Sequence, residues 1–166
     1  MSDAWIIDAC RTPRGIGKPG KGALAHLHPH RVGAAVLSAI AQRNDLDTST
    51  VDDVIWGTSN QAVTQGGDLG RMAALDAGYA VEASGVTLDR FCGSGLTATN
   101  FAAGQLKAGF EDLIIAGGTE MMSLITKMSQ EEMAAGVIPM GMGSGNQRLQ
   151  QKHPQSPNKD SHQHPR

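Results

Sequence analysis

The sequence predicts an α/β fold with a mainly parallel, mixed sheet and the element order βαβαβαβ. Short apolar runs alternate along the chain with longer segments in which apolar residues recur at helical spacing. This alternation is typical of parallel sheets whose strands are joined by crossover helices. The chain also has 21 glycines and only 4% aromatic residues, which favours close approach between helices and strands.

Four apolar runs are predicted to be the strands of this sheet. They cover residues 5–10, 51–58, 85–91 and 113–116, and two glycines close the last of them. Their lengths are those expected of strands, and Gly, Pro or polar residues bound most of them.

Three intervening segments, residues 29–43, 70–77 and 94–110, are predicted to be helices. The first begins near Pro29 and has apolar residues at helical spacing. In the third, we expect these residues to fall mainly on one side: Leu96, Phe101, Ala102, Leu106 and Phe110. Because that helix is otherwise rich in small residues, we expect it to be buried.

The bulk composition excludes some functional classes. The formal net charge of −2 provides no basic excess for binding nucleic acid. There is no secretory signal pattern and no bilayer-length apolar run, so we expect a cytoplasmic protein that does not bind a membrane. Two cysteines, Cys10 and Cys92, form neither a disulfide framework nor a metal-binding cluster, and we expect no metal.

The last third of the chain changes in character. Six of the eight methionines lie within residues 121–142, where the pattern is weakly helical. They indicate either a loop region in which Met fills gaps or an adaptable wall for an acyl or pantetheine chain. Residues 150–166 contain no hydrophobic residue, and a disordered, solvated tail is expected. Its three histidines could bind a metal weakly, but the solvated tail is favoured: His153, His162 and His164.

A glycine-rich segment at residues 15–20 matches GxGxxG, and residues 15–21 approach a P-loop. A dinucleotide site needs these glycines directly between a strand and a helix, whereas residues 11–14 and Pro19 interrupt that arrangement. A P-loop needs Ser or Thr after the lysine, where this chain has Gly22. We therefore predict a flexible basic loop. Alternatively, the basic side chains of this loop contact a partner subunit: Arg11, Arg14, Lys18 and Lys21.

Cys92 is the candidate nucleophile, because it lies where the predicted strand 85–91 gives way to the helix 94–110. A turn of this kind exposes a side chain at the carboxyl edge of a parallel sheet. Unpaired N–H groups and the helix dipole favour a thiolate there, and helix N-termini can lower the pKa of a cysteine from about 8.5. The flanking Gly93 and Gly95 leave room for a thioester carbonyl. These features suit covalent acyl transfer, although a small buried cysteine is the alternative.

Three segments resemble signature sequences of the thiolase family. Residues 88–96, LDRFCGSGL, resemble its nucleophile segment, and residues 11–15, RTPRG, resemble the segment after its first strand. Residues 117–123, GGTEMMS, resemble its GG-x-E-x-MS signature. The resemblance is close over residues 4–123 and loose to about residue 156. Acetyl-CoA acetyltransferases and 3-ketoacyl-CoA thiolases are the most similar members.

The resemblance implies a division of the chain and a function. Residues 1–123 would be an incomplete N-terminal α/β domain, residues 124–149 the start of a loop domain, and residues 150–166 the polar tail. Cys92 would attack a ketoacyl-CoA, become acylated and pass the acyl group to coenzyme A. Coenzyme A and acyl-CoA would be substrates, with no tightly bound cofactor, in a homodimer or homotetramer.

Other catalytic groups of the family have no counterpart in this sequence. It has no GHPxG histidine, no second Cys in a Cys-x-Gly-Gly-Gly motif and no Asn-Glu-Ala-Phe segment. His28 and His153 precede prolines but lack the flanking glycines, and four residues are interpreted as strand or surface residues: Cys10, His26, His28 and His30. After Ser156 the pattern is lost, which suggests a frame shift or early stop.

The alternative function is therefore that of a truncated, catalytically incompetent thiolase fragment that only folds, dimerises or binds acyl-CoA. A β-ketoacyl synthase would share the fold and a Cys nucleophile. The GGTE segment at residues 117–120 and the loop-domain remnant favour a thiolase.

Overall fold

A computed structural model of the chain describes residues 3–135, apart from the side chains of residues 63, 128, 129, 132 and 133. The chain divides into two compact units, Met1–Leu124 and Ile125–Arg166. The α-helices and strands of the described part are, in chain order, α1 (Pro29–Arg43), β1 (Asp53–Gly57), α2 (Leu69–Asp76), β2 (Val86–Leu88), α3 (Ser94–Ala108), β3 (Ile114–Gly118) and α4 (Met122–Ala134). The predicted tail and most of the predicted loop domain lie outside the described residues. In the described part, no helix is long and apolar enough to cross a bilayer.

The sheet is parallel, with the strand order β2-β1-β3. β1 pairs with β2 from Ile55 opposite Val86 and with β3 from Asp53 opposite Ile114. Because parallel neighbours need long crossovers, the helices α2 and α3 connect the strands, as the alternation of the sequence predicts. The predicted α/β fold with a parallel sheet is confirmed.

The residues of β1 divide the core between the two faces of the sheet. Val54 and Trp56 belong to a cluster that includes residues of α1 and α2, whereas Ile55 packs with Ala98 and Ala102 of α3. Successive side chains of a strand point to opposite faces, so this alternation follows from the strand geometry. The result is a sheet with α1 and α2 on one face and α3 on the other.

Trp56 is the largest fully buried side chain among the described residues, and glycines make room for it. A Cβ added at Gly70 would lie 2.5 Å from the Trp56 Cβ, and one at Gly33 would lie 3.3 Å from Cζ2 of the indole. A Cβ at Gly117, which pairs with Trp56 across β1 and β3, would collide with the indole ring. The indole N–H donates to the Thr119 hydroxyl at 3.0 Å, so the one polar atom of the ring is satisfied.

The strand predicted at residues 5–10 does not form, and that prediction is wrong. Trp5, Ile6 and Ile7 are 80%, 84% and 76% exposed, and the segment pairs with neither edge of the sheet. Instead, two polar anchors fasten it to α1. The Asp8 carboxylate accepts hydrogen bonds from the Arg43 and Asn44 side chains beside the end of α1.

The second anchor of this segment is Cys10, whose Sγ donates to the carbonyl of Val36 within α1 at 3.6 Å. The bonds at Asp8, above all the one from Asn44, hold the pKa of that carboxyl below its usual range. Because the contacts of Asp8 and Cys10 hold residues 5–10 against α1 rather than at an edge of the sheet, the side chains of Trp5, Ile6 and Ile7 remain exposed.

The helix after Cys92 is buried on one side only, so the prediction of a buried helix is half right. Its small residues face the sheet: Ser94, Thr97, Ala98 and Ala102. Leu96 and Phe101, expected on the same side as Ala102, are instead 69% and 51% exposed. Small side chains allow close approach to the sheet, and no described element covers the large ones on the opposite side.

Two further differences concern element boundaries. The strand predicted at residues 85–91 is limited to Val86–Leu88, because the residues after Leu88 turn toward α3. The weakly helical pattern after residue 121 forms the helix α4, so the interpretation as a loop is wrong for Met122–Ala134.

The packing around Trp56 predicts opposite effects for two glycine substitutions. We expect Gly117→Ala to lower the free energy of unfolding by about 1–3 kcal/mol, because the added methyl group must displace the indole in a packed core. The matched control is Gly104→Ala in α3, where a Cβ meets nothing within 4 Å. It should raise stability by about 0.5–1 kcal/mol through helix propensity. Urea unfolding measures both, and equal effects would contradict close packing of the Trp56 indole against Gly117.

The buried hydroxyl of Tyr79 should make the folded chain less stable at high pH. Its hydroxyl donates to the Leu37 carbonyl at 3.0 Å, and burial raises its pKa from 10.0 to about 12. Because the folded state retains this proton to higher pH than the unfolded state, the stabilisation is complete below pH 10 and is lost between pH 10 and 12.

The measurement is a phenolate absorbance titration, which reports on Tyr79 alone because the chain has one tyrosine. The midpoint should lie near 12 in the folded chain and near 10 in concentrated urea. Relative to wild type, Tyr79→Phe should lose less stability over that pH range, and parallel losses would argue against this role.

Candidate active site

The carboxyl ends of all three strands lie side by side. Gly57 at the end of β1 pairs with Leu88 of β2 and with Gly118 of β3. The segments that leave the strands, at residues 58–60, 89–93 and 119–121, therefore start from one edge of the sheet. Ligands of open parallel sheets bind at this edge.

Cys92 lies in the segment that follows β2 and is exposed. Phe91 before it has a φ of 49°, in the left-handed region that residues with a Cβ rarely occupy. The turn is closed by hydrogen bonds from the Gly93 N–H to the Arg90 carbonyl at 3.0 Å and from the Ser94 N–H to the Phe91 carbonyl at 3.2 Å. The tight turn between strand and helix makes Cys92 project from the edge rather than enter the core.

The first turn of α3 leaves backbone donors next to Cys92. Gly93 is the N-cap and makes no side-chain capping bond. Within residues 3–135, the N–H groups of Gly95 and Leu96 donate to no acceptor. A Cβ at Gly95 would meet nothing within 4 Å, so there is open space beside these groups. Free N–H groups at a helix N-terminus can stabilise an anion or a developing oxyanion.

The close contact between α3 and β1 depends on Gly57. A Cβ at this position would lie 2.6 Å from the Ser94 carbonyl carbon and 2.8 Å from the Gly95 nitrogen. The start of α3 therefore rests directly on the backbone at the end of β1. Any larger residue at position 57 would push the helix, and Cys92 with it, away from the sheet.

A buried glutamine connects the ends of β1 and β3, and the sequence analysis missed it. The Gln65 side-chain N–H₂ donates to the Thr58 hydroxyl at 2.9 Å and to Glu120 Oε1 at 3.1 Å. Its carbonyl accepts from the Met121 N–H at 2.7 Å. The second oxygen of Glu120 accepts from the Ser59 N–H at 2.6 Å. Glu120 belongs to the GGTE segment, but no local pattern singles out Gln65.

Two of the three described histidines, His28 and His30, make their contacts away from Cys92. The His28 ring caps α1 by accepting from the His30 N–H at 3.4 Å, and the two ring centroids are 4.2 Å apart. His30 Nε2 lies 3.8 Å from Asp76, and His26 is exposed. Burial, followed by the positive neighbours His30 and Arg31, lowers the pKa of His28. No recorded contact joins any of the three to Cys92.

Among the remaining sequence-based candidates, the glycine-rich segment approaches this edge, because a Cβ added at Gly17 would lie 2.9 Å from the Cβ of Met122, directly after the segment 119–121. Cys10 contacts α1, and residues 11–17 have no regular secondary structure, while residues 18–21 form a bend and a turn with no strand before them. This geometry agrees with rejecting a dinucleotide-binding or P-loop motif there. Among the described residues, no group of three or more His, Cys, Asp or Glu could hold a metal ion. The tail histidines, residues 153, 162 and 164, and residues 136–142 of the Met-rich segment lie outside the described residues.

Comparison with known proteins gives one consistent family. The family model for the thiolase N-terminal domain matches residues 4–155. The chain is 44% identical over 125 residues to a steroid 3-ketoacyl-CoA thiolase of Mycobacterium tuberculosis, a match that covers 75% of this chain and 30% of the relative. It is 47% identical over 124 residues to a 3-oxoadipyl-CoA/3-oxo-5,6-dehydrosuberyl-CoA thiolase of Escherichia coli, with 74% of this chain and 30% of the relative covered.

A solved structure, the acetyl-CoA acetyltransferase of Bacillus anthracis, matches with a TM-score of 0.56 and 34% identity. The match covers 61% of this chain and 25% of that one. This chain thus spans about 30% of the length of the curated relatives that it matches. With the family model covering most of its length, the chain belongs to the thiolase family and corresponds to the N-terminal part of its members.

Proposed function

We propose that Cys92 is the acyl-accepting nucleophile of a thiolase reaction, which transfers an acyl group between a ketoacyl-CoA and coenzyme A. The observation that carries this proposal is the exposed Cys92 thiol on a strained turn between β2 and the N-terminus of α3. In this reaction the Cys92 sulfur bonds to the 3-keto carbon of the ketoacyl-CoA. The C2–C3 bond then breaks, and the acetyl-CoA carbanion that leaves takes up a proton.

The second half of the reaction returns the enzyme to its starting state. The sulfur of coenzyme A gives up its proton and bonds to the acyl carbon of the Cys92 thioester. The bond between that carbon and the Cys92 sulfur then breaks, which releases the shortened acyl-CoA and leaves the Cys92 thiolate to take up a proton. In both halves, the keto or thioester oxygen becomes negative for a time. The N–H groups of Gly95 and Leu96, which have no acceptor within residues 3–135, support a role in stabilising that charge.

The proposed partners follow from the reaction. Coenzyme A and acyl-CoA are substrates rather than tightly bound cofactors. The exposed apolar side chains of α3, Leu96 and Phe101, favour association with further protein, in line with the proposed homodimer or homotetramer. The proposed compartment is the cytoplasm.

A second candidate function is that the chain alone folds, dimerises or binds acyl-CoA without turnover. It is favoured by the contacts of His28 and His30, neither of which reaches Cys92 in the described part of the chain, and by the exposure of His26 to solvent. Both halves of the reaction move a proton, and a missing general acid–base group typically costs about 10²–10⁴-fold in rate.

The nucleophile proposal predicts selective labelling of Cys92. At neutral pH, iodoacetamide should modify Cys92 faster than Cys10, because Cys92 is exposed whereas the Cys10 thiol is half-buried and bonded to the Val36 carbonyl. Peptide mass spectrometry over time gives both rates in one sample. Denatured chain is the control, in which the two rates should converge. Equal rates in the folded chain would count against Cys92 as the nucleophile.

The second candidate predicts little or no turnover by the purified chain. Cleavage of acetoacetyl-CoA in the presence of coenzyme A should stay close to the background given by Cys92→Ala. A separate acylation assay, in which mass spectrometry follows transfer from acetyl-CoA to the protein, should still detect modification at Cys92. Turnover at ordinary enzymatic rates that depends on Cys92 would overturn the second candidate and leave the first standing.

A further inference from the structure

The Ser94 side chain is the buried polar group closest in sequence to Cys92, and the proposed reaction gives it no role. Ser94 is the first residue of α3 and is 3% exposed. Its hydroxyl accepts a hydrogen bond from the Arg90 N–H at 2.7 Å. The hydroxyl proton has two acceptors, the carbonyls of Phe91 at 2.7 Å and Thr58 at 2.8 Å. The hydroxyl therefore bonds to two residues that precede Cys92 in the turn and to Thr58, the residue directly after β1.

These bonds surround Cys92 without touching its sulfur. Arg90 and Phe91 come just before Cys92 in the sequence, and Ser94 comes two residues after it. The hydrogen bonds of the Ser94 hydroxyl therefore join the backbone on the two sides of Cys92. Thr58 follows the end of β1, where Gly57 carries the start of α3. The Ser94 hydroxyl therefore stabilises the turn internally and also connects it to Thr58 at the end of the central strand.

The turn needs such a support because of Phe91. Its φ of 49° is unfavourable for a residue with a Cβ, and its side chain is 68% exposed, so packing does little to hold it. Without the Ser94 hydroxyl, the Arg90 N–H loses its acceptor and the Phe91 carbonyl loses one of two donors. Phe91 could then relax to an ordinary φ, which would reorient the peptide that leads into Cys92.

We propose that Ser94 is the positioning residue for Cys92. Its hydroxyl holds Phe91 in the left-handed conformation and so fixes the backbone of Cys92 in the turn that precedes the free N–H groups of Gly95 and Leu96. This inference rests on the proposed role of Cys92 as nucleophile and goes beyond it, because it assigns the origin of the thiol's placement to one side chain.

The test compares two alkylating reagents of similar size on the full chain, iodoacetamide and iodoacetate. Both react with the same thiolate, so the ratio of their rates is independent of how much thiolate is present. The ratio reports instead whether the N-terminus of α3 stabilises the carboxylate of iodoacetate when that reagent is next to Cys92. We expect Ser94→Ala to slow iodoacetamide labelling of Cys92 about fivefold, as loss of one hydrogen bond would, and to lower the iodoacetate/iodoacetamide ratio about threefold.

Two further variants separate positioning from general stability. Thr97→Val removes another buried hydroxyl from the same face of α3 and should leave both readouts unchanged. Ser94→Thr keeps the hydroxyl and should restore the ratio to within a factor of about two of wild type. The labelling rate of Cys10 serves as an internal measure of folding in every sample.

Asparagine tolerates the left-handed conformation better than phenylalanine does. In a Ser94→Ala background, Phe91→Asn should therefore recover at least half of the lost ratio. Should Ser94→Ala alone unfold, seen as a rise in the Cys10 rate, wild type and Ser94→Ala are both labelled in a stabilising concentration of sucrose. A lower ratio in folded Ser94→Ala then supports the inference, and a ratio equal to that of wild type overturns it.

The outcomes distinguish this inference from the function on which it rests. A wild-type chain in which Cys92 reacts no faster than Cys10 speaks against the nucleophile itself. Selective labelling of Cys92 in wild type, with a ratio that Ser94→Ala leaves unchanged in a folded chain, overturns the role of Ser94 and leaves the proposed nucleophile intact.

Discussion

The burial of one tryptophan in a setting of glycines is the constraint on which the rest of this fold depends. The Trp56 indole fills the space between β1 and the helices α1 and α2, and its neighbours at positions 33, 70 and 117 have no side chain to oppose it. The Thr119 hydroxyl accepts its N–H, so the ring is fixed in orientation as well as in depth. Thr119 directly follows β3, and the same contact therefore sets where the chain leaves the sheet.

A short series of contacts connects this core to the carboxyl edge of the sheet. Gly57 follows Trp56 directly and lets α3 rest on the backbone of β1. The Gln65 amide then joins the segment after β1 to Glu120 and Met121 after β3. Cys92 occupies the turn between these fixed points. A rigid edge with one exposed, strained turn is the arrangement expected of a site where the reacting atom must be held while the substrate is free to approach.

The sequence predicts the parts of this structure that depend on local patterns. Helical periodicity located α1 within its exact limits, and the order of apolar runs predicted the parallel sheet. The segment at residues 5–10 has the composition of a strand, yet polar contacts of Asp8 and Cys10 with α1 direct it elsewhere. Such contacts join residues far apart in sequence, and periodicity carries no information about them.

The same limit applies to the candidate site. Cys92 could be singled out because glycines and a strand-to-helix boundary surround it, whereas Gln65 and Ser94 act through bonds to distant backbone groups. Burial on α3 was misjudged for a related reason. The predicted stripe included Ala102 with Leu96 and Phe101, but the sheet contacts only small side chains, and the large ones lie on the other side.

The exposed apolar side chains of α3 affect how chaperones and proteases would treat the chain in a cell. Chaperones and proteases recognise exposed apolar side chains, and a folded core does not hide such a surface from them. When the chain is alone, Leu96 and Phe101 remain open to capture, as do Trp5 and Ile6 at the other end of the described region. Its abundance would then depend on how quickly another protein surface covers α3, as well as on the free energy of its own unfolding.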